Sequence, residues 1–129
     1  MQSYQGVSIL EKIVEAEATG YDEEHKLAIA NVILNRVKSQ NFPNTIENVV
    51  FQKRQFSPIA DGRYYTVKVT ESTKNAVKRA LNGENNSEGS LYFMNPKASS
   101  SKNVKWFKNS LKYVKTIDCH EFYKNKGEN

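Results

Sequence analysis

The sequence predicts an α+β domain, several helices with a small antiparallel sheet, and three observations carry that reading. Apolar residues recur at helical spacing behind recognisable caps in the first 50 residues and again over 70–83. Two short aromatic and β-branched runs, at 91–94 and 116–123, read as strands. The chain has 129 residues, the size of one compact domain with one core. We therefore read 1–129 as a single catalytic-sized domain with its core over about 8–124 and frayed polar ends.

The first helix signal is Ser8 with Glu11 three residues on, a capping box ahead of Ile9, Leu10, Ile13 and Val14. Gly20 stands where a left-handed C-cap is usual. Asp22 caps a second helix, with Glu23 and Glu24 in its first turn, where the helix dipole favours acids. Its inner stripe is Ile29, Val32, Ile33, Arg36 and Val37, and it stops before Phe42-Pro43. Thr45 opens a short third helix through Val50. Residues 51–69 mix aromatics and β-branched residues with Pro58 and an Asp61-Gly62 turn signal, which predicts a hairpin or irregular β segment. Thr70 caps a helix carrying Ala76, Val77, Ala80 and Leu81, closed by Gly83. The run Leu91-Tyr92-Phe93-Met94 reads as a buried strand ending at Asn95-Pro96, and Thr116 to Tyr123 as a further strand.

Composition excludes several classes. No apolar run approaches the ~18 residues of a spanning helix. The start, Met1 to Gln5, lacks the basic and apolar stretches of a signal peptide. A single cysteine, Cys119, excludes an internal disulfide and an all-cysteine zinc site. The formal net charge is +5, unevenly placed. Residues 1–30 hold six acids and two lysines, net −4, and residues 97–126 hold eight lysines and two acids, net +6. That basic face is either a solvated surface or a contact for a polyanion, nucleic acid or bacterial cell wall.

Glu17 is the carboxylate of most interest. It lies three, four and seven residues after Val14, Ile13 and Leu10, so it continues the buried face, whereas Glu15 points away from it. The negative helix C-terminus and burial both oppose ionisation there, as a general acid requires. Without further information the plainer reading of the spacing is a half-exposed Glu17 salt-bridged to a partner such as Arg36. Cys119 and His120 are adjacent, and on a strand neighbours point to opposite faces, so we expect no metal site and read His120 as structural. There is no Gly-rich phosphate loop and no Gly-x-Ser-x-Gly elbow.

Six ordered segments then match a known family: EAEATG (15–20), AIANVILNRVKSQNFPNTIENVVF (28–51), QFSPIADG (55–62), KRALNG (78–83), LYFMNP (91–96) and CHEFY (119–123). Over roughly Ile9 to Lys124 the chain resembles the catalytic domain of the spore cortex-lytic enzymes, the SleB/CwlJ cell-wall hydrolases. The resemblance implies a lysozyme-like fold, mostly helical, with the small sheet beside the cleft. It implies a lytic transglycosylase that breaks the N-acetylmuramic acid–N-acetylglucosamine β-1,4 bond of peptidoglycan in spore cortex or cell wall, as in germination. A hydrolytic muramidase and a catalytically silent peptidoglycan-binding module of the same fold are the alternatives. The family's Gly-Glu-Ala-Arg-Gly segment reads Ala16-Glu17-Ala18-Thr19-Gly20 here, so the catalytic role maps to Glu17, with Ala16 and Thr19 departing from the pattern. For the glycan groove the resemblance points to Phe56, Ser57, Tyr92 and Asn95, with Tyr92 facing the sugar. A hydrolase would need a second carboxylate, for which Asp61 and Glu71 are the candidates. The implied partner is the glycan strand, with no metal, no organic cofactor, no nucleic acid and no membrane span. The expected state is a monomer acting at the wall or cortex.

Overall fold

The computed structural model describes residues 3–127. Seven helices and three strands follow in order among these residues. Helix α1 spans Tyr4–Ala18, α2 Glu23–Lys38 and α3 Ile46–Val50. The short α4 (Ser57–Asp61) and α5 (Arg63–Thr66) lead to α6, Glu71–Leu81. Strand β1 (Tyr92–Met94), helix α7 (Ser101–Ser110) and strands β2 (Leu111–Ile117) and β3 (His120–Asn125) complete the chain.

The caps explain where the helices begin. Asp22 accepts a hydrogen bond from the His25 amide, Thr45 from Asn48 and Thr70 from Thr73, as the sequence predicts. Gly20 takes the left-handed conformation (φ 84°) just beyond α1. One start differs. Ser3, not Ser8, caps α1, its Oγ accepting from the Gly6 amide at 3.0 Å. The earlier cap adds a turn, along which Gly6 is buried and Val7 packs on the core.

Helix α1 is the central element, in contact with α2, α3, α4, α5 and α6. Leu10, Ile13, Val14, Ile29, Val32 and Ile33 are fully enclosed, and with Val49, Ala76, Val77 and Phe122 they form the main core. Because α1 is wrapped on more than one side, Glu15 does not point to solvent. It is 3% exposed and faces α6, which corrects the expectation from a single helical stripe.

Residues 51–69 contain no hairpin. Pro58 sits at the start of α4, where its missing N–H costs nothing, and Gly62 (φ 90°) ends it in the left-handed region. The Asp61-Gly62 pair is a helix-to-helix corner rather than a strand turn. The sheet is antiparallel in the order β1-β3-β2, with Phe93 opposite Phe122 and Ile117 opposite His120. The stretch read as one strand at 116–123 is the tip of the β2–β3 hairpin, with Asp118 (φ 51°) and Cys119 as its turn. Helix α7, capped by Ser100, was not anticipated, and a second small core forms there from Met94, Phe107, Leu111 and Tyr123. Asn125, expected to fray, ends β3 and accepts the Tyr92 hydroxyl hydrogen bond at 2.8 Å. The expected fraying at 128–129 lies outside the described residues. No helix among the described residues is long and apolar enough to cross a membrane.

Candidate active site

An open cleft of about 830 Å³ runs between the end of α1, the α3–α5 segment and the sheet. Its walls include Glu17, Arg36, Ser57, Arg63, Asn95 and Asn103. Among the described residues, Glu17 is the one carboxylate in the lining, alongside Arg36, Lys53, Arg54 and Arg63.

Glu17 stands at the end of α1, half-buried, and makes no direct hydrogen bond or ion pair among the described residues. Burial pushes its carboxyl up to about 7. The nearby charge of Arg63 pulls the other way, Asp61 adds to the rise, and Arg36 opposes it. The alternative of a Glu17–Arg36 salt bridge does not occur. Arg36 is instead buried, its Nε donating to the Leu91 carbonyl at 2.7 Å and its Nη1 to Gln55 at 3.1 Å. Its guanidinium lies over Phe42, Phe56 and Tyr92, 4.7–5.4 Å from the ring centroids. Burial lowers it to about 10, still a cation at neutral pH. Arg36 thus holds α2, the α3–α4 loop and the β1 entrance together as one wall.

Arg63 is the residue that sequence reasoning missed. Its Nη1 donates to the Ala16 carbonyl (3.2 Å), its Nη2 to Ser57 Oγ (3.1 Å), and its Nε to both Asp61 oxygens (3.2 and 3.0 Å). It ties the residue beside Glu17 to α4. The only signal was its position just after a Gly that could cap one helix and begin another. Asp61 is committed to this partner. The backbone N–H of Arg63 and its guanidinium hold the Asp61 carboxyl below the usual carboxylate range, against slight burial. Asp61→Asn is therefore expected to lower the melting temperature slightly and leave the product type unchanged, as read by calorimetry and mass spectrometry of digests.

The remaining predicted groove residues divide. Ser57 and Asn95 line the cleft, and Phe56 does so from below, only 4% exposed and packed 6.2 Å from Phe93. Tyr92 does not line it. Its ring packs near Phe42, Trp106 and Phe107 and its hydroxyl bonds Asn125, so Phe93, Met94 and Asn95 form this part of the wall. Alternation puts Phe93 opposite Tyr92, but Met94, on the face of Tyr92, lines the cleft as well, so alternation alone does not say which side chains meet it.

At the far end of the cleft, Tyr21, Cys119 and His120 join the lining. His25 Nδ1 lies 2.9 Å from Asp118 Oδ2 and His25 Nε2 lies 2.8 Å from His120 Nδ1, with Cys119 Sγ 3.5 Å from the same nitrogen. Burial and the neighbouring His25 push His120 down to about 4, so its ring is neutral. The strand-alternation argument that separated Cys119 from His120 does not apply, because Cys119 sits in the hairpin turn and not on a strand.

The profile of the family described as Cell Wall Hydrolase matches residues 20–123. The chain belongs to the cell wall hydrolase family. Similarity to known members is extensive. A spore cortex-lytic enzyme of Bacillus cereus is 36% identical over 118 residues, covering 91% of this chain and 45% of that protein. One from Bacillus subtilis (strain 168) is 38% identical over 114 residues, covering 88% and 37%. The chain thus spans less than half the length of these curated relatives. Among solved structures, the catalytic domain of the germination-specific lytic transglycosylase SleB from Bacillus anthracis superposes with a TM-score of 0.83 at 36% identity, covering 95% of this chain and 96% of that one. The fold is that of this cell wall hydrolase domain, lysozyme-like, mostly helical with a small three-stranded antiparallel sheet. The family profile covers residues 20–123 and so does not include Glu17.

Proposed function

We propose that this domain cleaves peptidoglycan glycan strands as a lytic transglycosylase, with Glu17 as its single acid and base. The observation that carries the reading is that Glu17 is, among the described residues, the one carboxylate in the cleft lining, with burial raising its carboxyl to about 7. The likeness to a SleB catalytic domain supports the same class. Glu17 protonates the oxygen linking N-acetylmuramic acid to N-acetylglucosamine, and that C–O bond breaks. The muramoyl C6 hydroxyl attacks C1, its proton passes to the Glu17 carboxylate, and a 1,6-anhydro ring closes. One carboxyl gives and regains one proton, so no second carboxylate is needed. A hydrolase would place a second one ~5–9.5 Å away to act as nucleophile or to activate water, and Asp61 is bound to Arg63 instead.

Ser57 and Asn95 serve as glycan-binding groups and Phe56 supports the wall beneath them. The domain acts as a monomer on cortex or wall peptidoglycan, without nucleic acid as a partner.

Digestion of purified cortex and of vegetative wall in ¹⁸O-labelled water tests the chemistry. Ring closure gives anhydro-muramoyl ends free of label, whereas label in most new ends would overturn the transglycosylase reading. Activity depends on protonated Glu17, so kcat/KM is expected to fall as pH rises through about 7. A profile flat from pH 5 to 9 would remove Glu17 as the acid.

A further inference from the structure

The end of the cleft near the β2–β3 turn holds three groups whose convergence the glycan chemistry does not use. His25 is fully buried, His120 is 7% exposed, and Cys119 is half-buried. They come from the first turn of α2, the start of β3 and the hairpin turn, so the fold alone brings them together. Their ligand atoms, one from each residue, all lie within 4.8 Å of one another.

We propose that His25 Nε2, His120 Nδ1 and Cys119 Sγ form a binding site for a borderline-soft divalent cation, zinc above all. In tetrahedral zinc sites Zn–N is about 2.0–2.1 Å and Zn–S about 2.3 Å, which separates two nitrogens by ~3.3 Å and nitrogen from sulfur by ~3.6 Å. Cys119 Sγ and His120 Nδ1 stand 3.5 Å apart already. The two imidazole nitrogens, at 2.8 Å, must open by roughly half an ångström. One thiolate and two imidazoles select zinc over calcium or magnesium, which take oxygen ligands.

The surrounding groups fit the same ligand set. Asp118 Oδ2 is 2.9 Å from His25 Nδ1, the carboxylate–histidine pairing that fixes Nε2 as the lone pair facing a metal. With Nδ1–H of His25 donating to Asp118, the 2.8 Å contact between the rings requires His120 to donate from its Nδ1. Zinc replaces that shared proton, which moves to His120 Nε2, and the thiol of Cys119 loses one proton to solvent. A +2 ion then meets one thiolate and the Asp118 carboxylate, and the local charge sums to zero. Tyr21 stacks on His25 with centroids 4.3 Å apart and shields it on one face. Cys119, His120 and Tyr21 also line the cleft that contains Glu17, so such a site borders the glycan-binding space. A cation there would bind a water or an oxygen of a bound glycan or stem peptide.

Cobalt(II) as a spectroscopic stand-in, together with zinc, tests the site in the whole chain after chelator dialysis. The expected results are one equivalent bound and a near-ultraviolet thiolate-to-cobalt charge-transfer band. Visible bands of four-coordinate intensity and a zinc-dependent rise in melting temperature are also expected. Cys119→Ser should abolish the charge-transfer band while the apo protein melts as before. Asp118→Asn, at a half-exposed turn position, should weaken zinc binding about 10–100-fold without removing the band. No cobalt band at stoichiometric metal, a melting temperature indifferent to zinc, or binding that survives Cys119→Ser unchanged would overturn the proposal.

Discussion

Glu17→Gln is expected to leave a folded protein whose glycan-cleaving rate has dropped by at least ~10²–10⁴-fold, the usual contribution of one general acid–base group. The loss should lie toward the upper end, because this one carboxyl performs both proton transfers. Glutamine keeps the shape and can still hydrogen-bond, but it has no proton to give at pH 7. Stability supplies an independent reading of the same carboxyl. Its pKa is raised in the fold from 4.5 to about 7 by burial. The folded state therefore holds the proton more tightly than the unfolded chain, and the stability due to this group is fully present below about pH 4.5. It is lost as pH rises through about 7. The displacement corresponds to at most roughly 3 kcal/mol, and partial exposure of the side chain reduces it to ~1–2 kcal/mol. Glu17→Gln removes that penalty. The variant should match the parent near pH 4 and melt above it at pH 8. Retention of more than a tenth of the activity would remove Glu17 from the chemistry. A pH-independent difference in melting between the two proteins would show that its carboxyl is not buried as described.

The parts of the molecule that were legible in the sequence are those fixed by local chemistry. Asp22, Thr45 and Thr70 cap the helices they were expected to cap, and Gly20 and Gly83 close the helices before them in the left-handed region. Glu17 was placed by helical spacing and by the resemblance together. The misreadings arose where tertiary packing decides. Residues 51–69 are rich in β-branched and aromatic side chains, but Phe56, Ile59 and Tyr64 pack on the core while Phe51 and Tyr65 stay exposed, and Pro58 with Gly62 allows two short helices there. Helix α7 buries Phe107 alone, with Val104 packed beside it, so few apolar residues mark it in the sequence. The groove was half legible. The cluster of His25, Asp118, Cys119 and His120 joins positions more than 90 residues apart across a turn whose existence was not read. Arg63 carries no motif of its own, and its contact with Ala16, 47 residues away, forms only when α4 and α5 pack on α1.

The other large effect is expected at Glu15, two residues from the catalytic candidate and with a different role. Its Oε1 accepts from the Thr70 amide (3.0 Å), the Thr70 hydroxyl (2.9 Å) and the Thr73 hydroxyl (2.6 Å). Lys26 Nζ is 4.0 Å away and itself donates to Thr70 Oγ1. Burial opposes ionisation of Glu15, but the hydrogen bonds from Thr73 and Thr70 and the charge of Lys26 outweigh it and hold the carboxyl below its ordinary value. The charge also sits at the N-terminus of α6, where the helix dipole favours it. Glu15 therefore pins α1 to the cap of α6. In Glu15→Ala, the buried Lys26 ammonium loses its counter-charge and the Thr73 hydroxyl, fully buried, loses its acceptor. Removing one partner from a buried ionic pair costs ~3–5 kcal/mol, a large share of the stability of a domain this size. The pH dependence has the opposite sign to that of Glu17. A depressed carboxyl stabilises above its unfolded value, and the contribution vanishes as pH falls through the folded one, so the parent and Glu15→Ala should converge in acid. Glu15→Gln should fall between them, since its amide oxygen still accepts from Thr70 and Thr73 but leaves Lys26 without a counter-charge. Activity per folded molecule should change little in Glu15→Gln, because Glu15 is absent from the cleft lining. Chemical denaturation at pH 4 and pH 7 beside a digestion assay separates the two roles. A Glu15→Gln protein as stable as the parent but inactive would place Glu15, and not only Glu17, in the chemistry.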